Sequence, residues 1–259
     1  MCLVVFSYKN HLNYKLIIAA NRDEFYHRPT RPAEFWDDSP HLLGGRDLEA
    51  KGTWMGVTTD GKVSLLTNYR DLRNLKPNAP SRGHLVSDFL KQEERPKIYL
   101  EKLHNISGTY NGFNLVVGNQ DDLWYYSNES KRITMLGSGL YGLSNALLDT
   151  PWPKLLRAKA KIGEAFADDS IHPDKVLDAL FDEMRASDDQ LPDTGIGLEK
   201  EKMLSSIFIK SSDYGTRCST LVTIDQNDNL NFHERTYDLE TFDYSTRKFE
   251  FRLNSMVRG

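Results

Sequence analysis

The sequence predicts an α+β fold, built as a single domain over residues 1–259. Short apolar runs bounded by turn residues fill both ends of the chain. Helical spacing of apolar residues is confined to the middle. No repeat, low-complexity segment or linker interrupts it. Strands in blocks with clustered helices argue for α+β rather than alternating α/β.

In order along the chain, residues 2–8 and 14–20 read as two strands joined by the polar loop 9–13. Gly44-Gly45 reads as a turn. Residues 53–58 and 62–68 read as a hairpin around Asp60-Gly61. Leu85, Val86, Phe89 and Leu90 have helical spacing, and Ile98, Leu100 and Leu103 follow it approximately. Strands return at 113–118, 122–127 and 132–136. Two helices follow. In 153–167 the shared face is Leu155, Leu156, Ile162 and Phe166. In 173–185 it is Val176, Leu177, Leu180, Phe181 and Met184, with Pro173 near the start, where its missing N–H costs least. The polar stretch 187–202 reads as a loop, a candidate flap. Residues 205–210, 216–224, 229–237 and 247–253 read as strands.

Composition narrows the function. Hydrophobic residues make up 39% and charged residues 27% of the chain, and the net charge is −4 at pH 7. That is the profile of an ordinary globular protein and lacks the basic stripe of a nucleic-acid binder. No apolar run approaches the roughly 20 residues of a membrane span. The first residues lack the basic and apolar regions of a secretory signal, so a cytoplasmic location is expected. The two cysteines, Cys2 and Cys218, cannot form a disulfide framework, and there is no CxxC pair for zinc. The seven histidines show no HxxxH or HExxH spacing. Gly195-Ile196-Gly197 lacks the third glycine of a dinucleotide site, and Gly137-Ser138-Gly139 is not a nucleophile elbow. No cofactor or metal is expected, and the expected partner is a small molecule.

Four segments could carry chemistry. Removal of Met1 would leave Cys2 with a free α-amine, whose reference pKa of about 7.7–8.0 suits a base at neutral pH. Cys2 also reads simply as a small apolar residue opening a strand. Asn21-Arg22-Asp23-Glu24 follows the strand 14–20; its arginine could favour a thiolate and its carboxylates could hold an amine. The same run also reads as a solvated turn. Arg217, at the entrance of the last strands, could add a second positive charge or make a surface ion pair. Asn68 and Asn145 could bind an oxyanion, although asparagine at a strand end is commonly a turn former. Cys218 reads as a buried strand residue without a functional role.

Together these segments resemble the NRDE family, the transport and Golgi organisation protein 2 family, named for the tetrad at 21–24. The resemblance spans Met1-Cys2, Ala20 to Phe25, Arg28-Pro29, Gly44 to Asp47, Thr53 to Gly56, Thr67 to Arg70, Ser81 to Gly83, Asn111 to Asn114, Gly142 to Asn145 and Tyr214 to Arg217. The order of elements is also similar to N-terminal-nucleophile (Ntn) hydrolases of the choloylglycine hydrolase and penicillin V acylase group. That similarity implies a four-layer αββα sandwich of two antiparallel sheets. It implies Cys2 as nucleophile and, through its amine, base, with Arg22 and Asp23 orienting it. Asn68, through its backbone N–H, and Asn145, through its side chain, would bind the oxyanion, and Arg217 would complete the charge network. Those acylases space their Arg and Asp further apart than Arg22-Asp23, so either Asp23 or Glu24 could face Cys2. The implied activity is hydrolysis of a C–N amide bond in a small molecule. The alternative is a non-catalytic carrier of an amphipathic molecule such as haem or an acyl lipid.

Overall fold

The structure is a computed structural model and describes residues 3–254. The chain opens with β1 (Leu3–Tyr8) and β2 (Tyr14–Phe25), then β3 (Thr30–Trp36), β4 (Ser39–Asp47), β5 (Met55–Thr58) and β6 (Val63–Asn68). Helices α1 (Gly83–Lys91) and α2 (Pro96–Ile106) precede β7 (Phe113–Gly118), β8 (Leu123–Ser127), β9 (Arg132–Met135) and β10 (Gly139–Leu143). Helices α3 (Pro153–Phe166), α4 (Pro173–Ala179) and the short α5 (Leu198–Met203) lead to β11 (Tyr214–Asp225), β12 (Asn229–Tyr237) and β13 (Tyr244–Arg252).

The strands form two antiparallel sheets. One has the order β10-β1-β2-β11-β12-β13 and the other runs β3-β4-β5-β6-β7-β8-β9. They pack face to face: Val4, Phe6, Ile18 and Val222 of the first meet Leu43, Val57, Leu65 and Val116 of the second. Behind the first sheet Leu3, Val5, Ile17 and Leu221 pack on Leu155, Ile162 and Leu177 of α3 and α4. Behind the second, Leu66, Leu115 and Tyr126 pack on Phe89 and Leu100 of α1 and α2. The result is the four-layer αββα sandwich. It explains why residues 3–6 of β1 and 16–20 of β2 are unbroken apolar runs. Alternate residues face opposite sides of a strand, and here neither side is solvent.

The hairpin around Asp60-Gly61 forms as expected. Gly61 has φ +92°, a conformation that favours glycine. Gly44-Gly45 is not a turn, because both residues lie inside β4. A Cβ on Gly45 would come within 2.3 Å of the Trp54 ring, so glycine there makes room for that ring.

The edge strands β3 and β10 lack the apolar patterning that would announce them. β3 mixes polar residues with Ala33, Phe35 and Trp36 and contains Pro32, and β10 contains two glycines. Residues 205–210 are buried at Ile207, Phe208 and Ile209 but form no strand. Their backbone groups bond Asp182, Asn21 and Thr216 instead of a neighbouring ladder. The helix expected over 173–185 ends at Ala179. Beyond it the Phe181 ring packs tilted against Phe208, with centroids 4.2 Å apart, and Met184 is exposed. Leu156 of α3 is also exposed, the buried stripe being Leu155, Ala158, Ile162, Ala165 and Phe166. The stretch 187–202 is not all loop, since it holds a 3-10 turn and the start of α5.

One irregularity bears on the site. Between β2 and β11, Asp23 pairs with Thr216 and Arg22 with Cys218. Arg217 is therefore the surplus residue of a β-bulge, a feature common beside functional sites.

Candidate functional site

The expected Cys2 and the Met1 before it lie outside the described residues. Leu3, which follows Cys2 in sequence, pairs with Asn21, the residue before Arg22. The tetrad 21–24 is not a solvated turn. It continues β2 between β1 and β11, and Asn21, Arg22 and Asp23 are all buried.

Strand alternation divides the tetrad between two layers. Asn21 and Asp23 face the helices. The Asn21 side chain donates to the backbone oxygens of Leu180 at 3.0 Å and Ile207 at 2.9 Å, and accepts from the Ser219 hydroxyl at 2.6 Å. Asp23 accepts from the Thr216 hydroxyl at 2.6 Å and lies 3.9 Å from the ammonium of Lys154, itself buried on α3. Arg22 and Glu24 face the space between the sheets. The Arg22 guanidinium stacks over Trp54 at 4.2 Å and lies 3.9 Å from Glu24.

Arg22, Asp23 and Asn68 line one cleft of about 500 Å³, with Thr53, Trp54 and Arg82. Charges of both signs meet there. Burial opposes ionisation of Asp47, yet bonds from Arg28 and from the backbone N–H groups of Ala50 and Glu49 hold its carboxyl below the ordinary range. Burial likewise opposes the charge of Arg28, and Asp47 more than offsets it.

Asn145 is joined to Asn68 and does not line the cleft with it. Its side-chain nitrogen donates to the Asn68 backbone oxygen at 2.9 Å. Its own backbone oxygen accepts from the Arg70 N–H at 2.8 Å, and its side-chain oxygen from the Arg70 guanidinium at 3.3 Å. Since Asn68 ends β6 and Asn145 follows β10, these bonds stitch the two sheets together at the cleft. Arg217 stands one step away and lines a smaller adjoining cavity that shares Arg22 and Trp54 with the cleft. Its guanidinium donates to the backbone oxygens of Phe25, at 3.0 Å, and Arg28. Burial, then the nearby charge of Arg22, lower its pKa.

Sequence reasoning gave no role to Trp54, Arg70, Lys154, Glu201 or Glu234. Trp54 and Arg70 stand in motifs noted for their resemblance. Lys154, Glu201 and Glu234 carried no local signal, because their burial arises only in the folded chain. Glu201 accepts from Arg70 at 2.8 Å and from the backbone N–H of Thr194 at 2.8 Å, and so ties the stretch 187–202 to the edge of the site. Glu201→Ala is expected to loosen that stretch and raise the rate of limited proteolysis within it several-fold, with the strands unaffected. Mapping the cleavage sites by mass spectrometry checks this, and unchanged cleavage would count against the tie. Among the described residues no group of three His, Cys, Asp or Glu is placed to hold a metal ion, and no helix is long and apolar enough to cross a membrane.

The sandwich is that of the Ntn hydrolases. It superposes on the Caenorhabditis elegans N-acylethanolamine-hydrolyzing acid amidase ortholog with a TM-score of 0.50 at 10% identity, over 85% of this chain and 92% of that one. The chain belongs to the Transport and Golgi organisation 2 family, whose model matches residues 1–239. It is 38% identical to the Transport and Golgi organization 2 homolog of Mus musculus, over 98% of this chain and 100% of the relative. It is 29% identical to Transport and Golgi organization protein 2 of Drosophila melanogaster, over 91% and 92% respectively.

Proposed function

We propose that the chain is an N-terminal-cysteine amidohydrolase acting on a C–N amide bond of a small molecule. Once Met1 is removed, the α-amine of Cys2 takes the thiol proton and the sulfur attacks the amide carbonyl. The carbonyl oxygen becomes an oxyanion beside Asn68, whose backbone N–H serves as donor, while Asn145 contributes by fixing the Asn68 peptide. The C–N bond then breaks, the amine passes its proton to the leaving nitrogen, and a thioester remains. Water adds to the thioester, releasing the acid and restoring the thiol. Arg22 favours the thiolate, Asp23 steadies the amine, and Arg217 adds positive charge beside Arg22.

The observation that carries this reading is that Arg22 and Asp23 of β2 and Asn68 of β6 line one cleft, just beyond the point where Asn21 of β2 pairs with Leu3. Scattered surface residues would not converge in this way. A carrier of an amphipathic molecule such as haem or an acyl lipid, the alternative reading, would not need Met1 removed. Intact mass of the protein from its own host, before and after treatment with a cysteine-directed electrophile, tests the reading. The expected result is a chain lacking Met1 that takes up one equivalent rapidly, at Cys2. A chain that keeps Met1 throughout would sink the amine-base mechanism.

A further inference from the structure

The proposed mechanism leaves unused the smaller cavity beside the cleft. It measures about 60 Å³ and is lined by Arg22, Trp54, Arg217, Cys218, Glu234 and Thr236 among others. Because Arg22 and Trp54 line both spaces, their stack is the shared wall. Glu234 lies on the face of β12 that meets the other sheet, two residues from the core residue Phe232, and is only 1% exposed.

One oxygen of Glu234 accepts from the Ala33 backbone N–H of β3 at 2.6 Å. The other takes no bond from an N–H or O–H group among the described residues, the carboxyl's side-chain partner being the Cys218 thiol, and Nη1 of Arg22 has no hydrogen-bond partner among them. A buried acid and a buried base thus line the same small space, each with an atom that no N–H or O–H group and no carboxylate or carbonyl oxygen among the described residues satisfies. Leaving both uncompensated is costly. Mutual attraction relieves both, directly or across a water, for which about 60 Å³ gives room. The other ionisable groups acting on Glu234 are Cys218 on β11 and Arg247 on β13. Burial pushes the Glu234 carboxyl up, with the Ala33 N–H, the Cys218 thiol, Arg22 and Arg247, in that order, working against the rise.

We propose that Glu234 is a positioning residue that tunes the candidate site: from the side away from the cleft its charge offsets that of Arg22, limiting how strongly Arg22 favours the Cys2 thiolate. This rests on Cys2 being the nucleophile and Arg22 its activator. Arg22 is also held by Trp54 and Glu24, so removing the Glu234 charge leaves the guanidinium in place with a stronger field.

The test measures Cys2 alkylation by iodoacetamide in the intact protein, from neutral to alkaline pH. Glu234→Gln keeps an acceptor for the Ala33 N–H and removes the charge. It is expected to move the pH midpoint of labelling downward. A fall of about one pKa unit gives tenfold more thiolate but a weaker nucleophile, so the rate at neutral pH should rise about threefold. Glu234→Asp, which keeps the charge, is expected to label at the wild-type rate. Thr236→Asp adds an anion to the same cavity, is expected to slow labelling, and serves as the test if Glu234→Gln does not fold. In an Arg22→Ala background, Glu234→Gln is expected to change nothing. A wild-type rate in Arg22→Ala alone would overturn the proposed mechanism and this inference with it. Slowed labelling in Arg22→Ala, with either no effect of Glu234→Gln or an effect that survives the loss of Arg22, would overturn this inference only.

Discussion

Limiting iodoacetamide at neutral pH is expected to alkylate Cys2 of the folded protein far ahead of Cys218, by on the order of a hundredfold or more. Cys218 is 5% exposed, and burial, then the neighbouring Glu234, push its thiol well above the ordinary value. Its labelling therefore needs a local opening, and an opening free energy of about 3 kcal/mol already gives that factor. Cys2 carries no such expectation: the register brings Leu3 beside Asn21, and a guanidinium near a thiol favours the reactive thiolate. Arg22→Ala is accordingly expected to slow Cys2 labelling several-fold in the folded state and to leave the unfolded chain unaffected. Peptide mapping reports each thiol separately. Equal labelling of the two cysteines in the folded protein would remove the case for an activated nucleophile.

Asn21→Ala is expected to cost about 3 kcal/mol of folding stability, because each buried carbonyl left without a donor costs roughly 1–3 kcal/mol. The Asn21 side chain is the donor to both the Leu180 and Ile207 oxygens, and no solvent reaches it. Those two carbonyls belong to the turn after α4 and to the irregular segment 205–210, so this one residue fastens both to β2. Asn21→Asp should be worse, since it would set a second oxygen against two carbonyls. Denaturant midpoints at constant m-value measure the loss. A midpoint within a few tenths of a kcal/mol of wild type would show that these bonds do not hold the segment.

The first member of the tetrad is thus expected to act in stability, and the next two in the site. That division was hidden in the sequence. The apolar runs at 3–8 and 14–20 are readable as strands because the central layers of the sandwich have no wet face. The end of β2 is not readable in the same way. A run of polar and charged residues after a strand usually marks exposure, whereas here the strand continues and each side chain is matched by remote groups: Asn21 by Leu180 and Ile207, Asp23 by Thr216 and Lys154, and Arg22 by Trp54. Such matches depend on chain crossings that spacing does not encode. The misreadings at 205–210 and after Ala179 have the same origin. Ile207, Phe208 and Phe181 are apolar because they are buried, and burial alone does not say whether the backbone bonds a ladder or a loop. Arg22, Asp23, Asn68, Asn145 and Arg217 are candidates by residue chemistry, and only the resemblance of their motifs to a family assigns each a proposed role. Glu234 and Glu201 stand in no such motif, and only the folded chain shows that they are buried.

The bulge at Arg217 bears on what keeps that residue in the chain. In an even strand Thr216 and Cys218 would point the same way. The surplus position turns them apart, so that Thr216 reaches Asp23 on the helix side while Cys218 enters the space between the sheets. The ladder itself skips position 217, so its rungs do not depend on which side chain stands there. What position 217 offers is a guanidinium swung across the sheet end onto the Phe25 and Arg28 carbonyls, clasping the chain just beyond the tetrad. Selection on the pairing of these strands would be blind to the identity of residue 217, and any constraint on it would have to come from the clasp and the charge.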